Sequence, residues 1–335
     1  MSTITDVARE AGVSVATVSR ALRGLDRVSP ATCEHVLRVA AELDYVASPT
    51  ATSLASGRTR VVGVVAPFLT RWFFSTLVSS IEKALRQHGH HALLFDLELD
   101  SFDRRLTLNQ NMLWKRVDGL ISLNIPMTTE ELELVERLDI PLVSVGTPIP
   151  GRACVRIDDQ AAVASATDHL TSLGHSRIAY VGAVPTNVAH IETPQDRLSS
   201  FRRTMTDHGL TVREAWVIGS DWTAEAAARD IEPVLATPDR PTAIVAASDE
   251  MAIGIIETAR RLHLRIPEDV SVIGIDDFHL SRVLGLTTVR QHVTDQGTAA
   301  ANILLAELLE GEHSTETLLS PTELVVRRTT GPAAR

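Results

Sequence analysis

From residue 61 onward, short apolar runs alternate with amphipathic stretches, and this alternation leaves few folds open. Strand patterns fall at 61–66, 92–95, 119–122, 142–145, 178–181, 217–219, 243–246 and 270–275. Helical spacing of apolar residues fills the intervals, as at 73–88, 160–173, 195–208, 224–235, 250–261 and 295–309. Strands joined through helices lie parallel, and a parallel sheet carries helices on both faces. Such a series makes one barrel or two open sheets. In open sheets, ligands sit outside the carboxyl ends of the strands. Polar clusters stand at those ends: Asp158-Asp159, Ser248-Asp249-Glu250 and Asp276-Asp277. A last strand-like piece, 323–327, leads into a loose TTGPAAR tail without a leucine heptad. No C-terminal coiled coil is expected from it, which favours a dimer over a tetramer.

The first 45 residues read differently. A short helix begins at a Thr start signal, Thr5, with an acid in its first turn, and Gly12 stops it. Ser14 caps a second helix over 15–22, followed by Gly24. Ser29 and Pro30 open a third, which runs to about Leu43 and buries Val36, Val39, Ala40 and Leu43. Two short helices joined by a Gly-containing turn, with a third in support, describe a helix-turn-helix head. Residues 46–60 read as a hinge, with 51–56 as a short helix of marginal intrinsic stability.

On the second helix, Val15, Ala16, Ser19 and Arg20 share one arc of about 140°, while Val18 and Ala21 face the other way. Small residues plus one arginine suit close approach to a major groove. Arg20 fits bidentate pairing with guanine, and Val15 and Ala16 fit contact with thymine methyls. The hydroxyls of Thr5, Ser14, Thr17 and Ser19 suit phosphate oxygens. The same spacing also suits an ordinary three-helix surface whose Ser and Thr act only as caps.

The charge of the whole chain, −10, argues against a nucleic-acid partner until it is divided. Residues 1–60 hold seven arginines against six acids, and the remainder holds 25 basic against 36 acidic residues. An acidic body repels a duplex and turns a near-neutral head toward it. The length of 335 residues suits about two domains of roughly 150 residues each. A 44% hydrophobic content suits a globular chain with real cores. The sequence has no apolar run long enough for a membrane span and no secretory signal pattern, so a cytoplasmic location is expected. Cys33 and Cys154 stand far apart and outside metal spacing, which removes a disulfide framework and a structural zinc site.

The run TDVAREAGVSVATVSRAL followed by VSPATCEHVLRVAAELDYVAS closely resembles the head of LacI/GalR-family transcriptional regulators. The resemblance continues through VVGVV, VDGLI, HLTSLGHSRIAYVG, RLSSF, ASDEMAIGIIETARRL, IPEDVSVIGIDDF and LTTVRQ, in family order. It implies a helix-turn-helix head (1–45), a hinge (46–60) and a periplasmic-binding-protein-like body (61–330) ahead of a tail (331–335). The body would have two Rossmann-like lobes. The N-lobe takes about 61–158 and 291–320, and the C-lobe about 159–290 and 321–330. It further implies a homodimer on palindromic operator DNA, with a small effector between the lobes. The function implied is a repressor of carbohydrate-utilisation genes controlled by a sugar-like effector. A purine-type or sugar-phosphate corepressor stays open. By the same resemblance, Val15, Ala16 and Arg20 hold base-reading positions. Thr5, Ser14, Thr17, Ser19 and Tyr45 hold backbone-contact positions, and Leu54 is the minor-groove wedge of the hinge. The chain departs from the family in having Ala47-Ser48, with Pro49 just after, where Pro-Asn is usual.

For the effector, the resemblance points to Arg197 and Asp276, with Asp158 a weaker candidate at the lobe crossing. A guanidinium offers donors, and a carboxylate accepts hydroxyl hydrogens, as a sugar requires. Trp222 suits stacking on a ring, and Phe73 and Phe74 stand where the family has an aromatic wall. Asp249 reads as a helix N-cap and Asp277 as a cap on the segment after it. Ser248 replaces a common asparagine, and Gly146 stands where some sugar-responsive members have an aspartate. Neither cofactor nor metal is expected. His88-Gly89-His90-His91 lacks helical ligand spacing, and there is no GxGxxG, GxxxxGK[ST] or GxSxG. A sugar-modifying α/β enzyme is the alternative class; it predicts turnover and no operator. A transport binding protein would need a signal peptide and no head.

Overall fold

The computed structural model describes residues 2–22, 28–46, 57–97, 106–183 and 192–333. The chain divides into two units, residues 1–60 and 61–335. In the first, α1 (Ile4–Glu10), α2 (Val15–Leu22) and α3 (Pro30–Glu42) enclose a small core. Thr3, and not Thr5, starts α1. Its side chain accepts the Asp6 amide while the Asp6 carboxylate accepts the Thr3 amide at 2.9 Å, which closes a capping box. Thr5 is left exposed in the first turn. Ser14 Oγ accepts the Thr17 amide at 3.1 Å and caps α2. Ser29 Oγ accepts the Thr32 amide at 3.1 Å and caps α3, with Pro30 at the first helical position.

The head core is Val7, Ala8, Ala11, Val18, Ala21, Val36, Val39 and Ala40. These are small side chains, so hydrophobic burial is modest and the caps carry a large share of stability. Ser29→Ala is expected to cost about 1 kcal/mol, read as a lowered midpoint of head unfolding. An unchanged midpoint would mean that water satisfies the Thr32 amide equally well. Leu54, Ala47, Ser48 and Pro49 lie outside the described residues.

The second unit opens with β1 (Val61–Ala66), α4 (Trp72–Gln87), β2 (His91–Asp96), α5 (Gln110–Leu113), β3 (Gly119–Leu123), α6 (Thr129–Arg137), β4 (Leu142–Val145) and β5 (Ala153–Arg156). A second series comes next: α7 (Asp159–Ser172), β6 (Ile178–Gly182), α8 (Glu192–Asp207), β7 (Val217–Gly219), α9 (Ala224–Leu235), β8 (Ala243–Ala246), α10 (Asp249–Arg261), β9 (Ser271–Asp276), α11 (His279–Leu284) and β10 (Thr287–Gln291). The chain then returns through α12 (Val293–Glu310), β11 (Thr317–Leu319) and β12 (Thr322–Val325).

Two open sheets form, not a barrel. Their orders are β11-β5-β4-β3-β1-β2 and β12-β10-β9-β8-β6-β7. All pairings are parallel except β12 with β10. Strand β3 is buried at every residue, as a parallel strand covered on both faces must be. The chain crosses between lobes after β5, after β10 and after β11. Helix α12 belongs to the N-lobe, where Val293, Ala300, Ala301, Leu304 and Leu305 join the core.

Residues 329–333 are not loose. Thr329 is buried, Val272 donates its amide to the Thr329 carbonyl at 2.8 Å, and Ala333 donates to the Leu173 carbonyl at 3.0 Å. Buried His175 lies 3.0 Å from the Gly331 carbonyl through Nε2. The polar letters at 329–333 mislead because Thr329, Gly331 and Ala333 are bonded to β9, to His175 and to the turn after α7.

Candidate functional site

On α2, Val18 and Ala21 are buried, whereas Val15, Ala16 and Arg20 are exposed. Ser19 and Thr17 are half-buried on the flank, and Thr17 Oγ1 shares a 2.9 Å hydrogen bond with Ser14 Oγ. Tyr45 lies half-buried against the head core, its amide donating to the Ala40 carbonyl at 2.8 Å. The outward face is therefore short-chained except for Arg20, so a groove can approach the helix closely.

In the body, the carboxyl ends of β8 and β9 gather a buried polar cluster. Arg197, from α8, donates through Nε to Asp159 Oδ1 at 2.7 Å and through Nη1 to the Ala247 carbonyl. Arg197 is 5% and Asp159 4% exposed. The Trp222 ring lies 5.6 Å from the Arg197 guanidinium carbon. Asp276 ends β9, is buried, and accepts from Gln291 Nε2 at 2.5 Å. Gln291 Oε1 in turn accepts from Gln296 on α12 at 3.2 Å. Asp276 has φ +134°, a conformation that side chains other than glycine rarely adopt and that recurs at functional sites. Arg197 thus lies beside the Trp222 ring, on the segment after β7, and within the electrostatic field of Asp276.

Other expected positions fall elsewhere. Asp158 is exposed and caps α7, accepting the Ala161 amide at 2.9 Å, because the carboxylate meets the unpaired amides of a helix start. Its neighbour Asp159 points inward to Arg197. Phe74 is buried in the N-lobe core, and Phe73, half-buried, packs edge-on to it at 5.2 Å. Trp72 reaches the C-lobe, 5.2 Å from Phe278. Arg71 crosses beside it to Asp221 at 3.3 Å, and the same Asp221 oxygen accepts the Trp222 amide at 2.7 Å.

The cap readings for Asp249 and Asp277 also give way. Ser248 caps α10 through the Met251 amide. Asp249 is fully buried and accepts from Ser281 Oγ at 2.6 Å, Thr288 Oγ1 at 2.6 Å and the Phe278 amide at 3.0 Å. Asp277 receives Arg290 at 2.8 Å and Arg327 at 2.5 Å. Burial opposes the Asp277 charge, but these two guanidiniums hold its carboxyl below the ordinary range. Burial pushes both Asp249 and Asp276 up, and charge on Asp249 raises Asp276 further. His88 and His90 each set Nδ1 against a backbone carbonyl, of Ala84 and His88 respectively, as a turn requires.

A helix-turn-helix head joined to a two-lobed body with a polar site at its strand ends defines the class of DNA-binding transcriptional regulators. The description "Bacterial regulatory proteins, lacI family" matches residues 3–48, and "Periplasmic binding protein-like domain" matches residues 167–330. Catabolite control protein A of Priestia megaterium is 34% identical over 310 residues, covering 90% of this chain and 91% of that protein. The lac repressor dimer bound to operator and the anti-inducer ONPF superposes with a TM-score of 0.86 at 26% identity, covering 98% of this chain and 99% of that one. The complex of transcriptional regulator CelR with cellobiose superposes with a TM-score of 0.71 at 28% identity, covering 98% and 100%. The chain belongs to the LacI family of bacterial regulatory proteins.

Proposed function

We propose that the protein is a cytoplasmic homodimeric repressor, not an enzyme, which binds a palindromic operator and responds to a small sugar-like effector. Val15, Ala16 and Arg20 read base edges. Thr5, Ser14, Thr17, Ser19 and Tyr45 hold the phosphate backbone, and Leu54 of the hinge enters the minor groove. The observation that carries the DNA reading is the division of α2 into a buried Val18/Ala21 face and an exposed Val15/Ala16/Arg20 face. Arg197, Asp276 and Trp222 bind the effector, because they set hydrogen-bonding groups beside an aromatic face at the strand ends. Cellobiose on CelR favours a saccharide for this cleft. The effector acts by binding one lobe arrangement more tightly than the other.

Selection from genomic DNA at stated salt, with and without a panel of sugars and purines, tests this reading. A palindromic site gained or lost with one compound supports it; no enriched site under any compound overturns it. Arg20→Ala is expected to lower affinity for the selected site by about 1–3 kcal/mol and relax preference at one base position. Nonspecific binding, carried by phosphates, should change little. An equal loss on all sequences would remove Arg20 from base reading.

A further inference from the structure

Three acids and one base are buried together at the strand ends: Asp159, Asp249, Asp276 and Arg197. Arg197 is committed to Asp159. Arg156, the next cation, turns to Asp159, Glu192 and Asp196. From β10 and the segment just after β12, Arg290 and Arg327 both go to Asp277. Glu250, beside Asp249, lies in the fields of Arg71, Glu225 and Asp221. Among the described residues, the Asp249–Asp276 pair therefore has no cation of its own, only the field of Arg197. Two neighbouring carboxyls out of water do not both ionise.

The hydrogen bonds decide which one keeps its charge. Asp249 collects three donors, Ser281, Thr288 and the Phe278 amide, and stands in the first turn of α10, where the helix field favours an anion. Asp276 has two donors, Gln291 and the Asp249 amide, and ends a strand with no helix field behind it. We propose that the cleft holds one proton on this pair, carried by Asp276, which offers it to the effector as a hydrogen-bond donor. The inference rests on the reading of this cleft as the effector site. A guanidinium beside a neutral acid makes a floor of donors. It fits an uncharged ligand presenting acceptor oxygens, as a saccharide does, and disfavours an ammonium group there.

The proton is detectable without any ligand. An acid protonated in the fold but ionised when unfolded holds one extra proton above the ordinary Asp range of about 4. Its stability contribution is complete at the acid end and is lost as pH rises through neutrality. For one proton, the unfolding constant grows about tenfold per pH unit.

Urea unfolding of the full chain between about pH 5 and pH 8 is compared for the wild type and Asp276→Asn, whose amide mimics the neutral acid. The wild type is expected to lose this tenfold per unit relative to the variant. Its infrared spectrum in D2O at neutral pH should show a carboxylic acid C=O band that Asp276→Asn lacks. Parallel pH curves and no such band would overturn the proposal. Should Asp276→Asn fail to fold, Asp249→Asn removes the negative neighbour but leaves Asp276 buried, so the acid band is expected to fade at a lower pH than in the wild type. A band that fades at the wild-type pH there overturns the proposal of a proton held by the pair. If no sugar or purine releases the operator, the effector reading fails, while the proton is judged by these ligand-free measurements alone.

Discussion

Replacing Arg197 with Ala is expected to cost the body about 3–5 kcal/mol of stability and to abolish the effector response. The stability loss comes from what remains behind. Asp159 is 4% exposed, and without Arg197 its nearest cation is Arg156 at 3.9 Å, already engaged by Glu192 and Asp196. An uncompensated buried carboxylate costs more than the pair contributed. The Ala247 carbonyl also loses its donor, and Trp222 loses the guanidinium it lies beside. Operator binding resides in the head, a separate unit. It should survive wherever the body is still folded. The check is urea unfolding together with operator release by the selected compound. A variant with wild-type stability and wild-type release would sink both roles. Arg197→Lys should fall between, because one ammonium keeps the charge but lacks the guanidinium fork that reaches Asp159 and Ala247 together.

The double role of Arg197 marks where the sequence was legible and where it was not. Periodicity located every strand that is apolar along its length. It passed over β5, β10 and β11 because Ala153–Arg156, Thr287–Gln291 and Thr317–Leu319 are short or polar. Buried threonines in β10 are stable there because Thr288 has Asp249 and Thr287 has Thr330 to bond with, and such partners lie far away in the chain. Helix α6 did carry a local signal, the Thr128–Glu131 capping box.

The site divides the same way. Residue type and family position pointed to Arg197, Trp222 and Asp276; Arg197 lies beside Trp222 and feels the charge of Asp276. Type and position could not say which of two adjacent acids turns inward. At 158–159 the first caps a helix and the second is buried; at 276–277 the first is buried and the second pairs with arginines. The backbone decides this, through the start of α7 and the positive φ angles of Asp276 and Asp277. Neither is written in the letters DD. The chemistry assigned to Asp276 changes with its surroundings too. Read alone it is an acceptor for sugar hydroxyls; buried beside Asp249 it becomes a donor.

Gly254→Val is expected to destabilise the body by at least about 3 kcal/mol, the upper end of ordinary overpacking. A glycine inside a helix normally costs about 0.5–1 kcal/mol relative to alanine, so filling it should help. Here the sign reverses. A Cβ at Gly254 would overlap the Ala224 carbonyl oxygen and stand 2.8 Å from its carbon. Those are backbone atoms of the first turn of α9, and no rotamer change moves them. Helix α9 must move away from α10, opening a gap along the rest of their interface. The Ser220-Asp221-Trp222 segment leads directly into α9, so its displacement also shifts Trp222 relative to Arg197. Weakened effector response is therefore expected alongside the lower stability, with base preference in the head unchanged. Gly254→Ala tests the sign alone. A lowered unfolding midpoint supports the close approach of α9 and α10, and a raised one would mean that Gly254 is an ordinary helix glycine with room beside it.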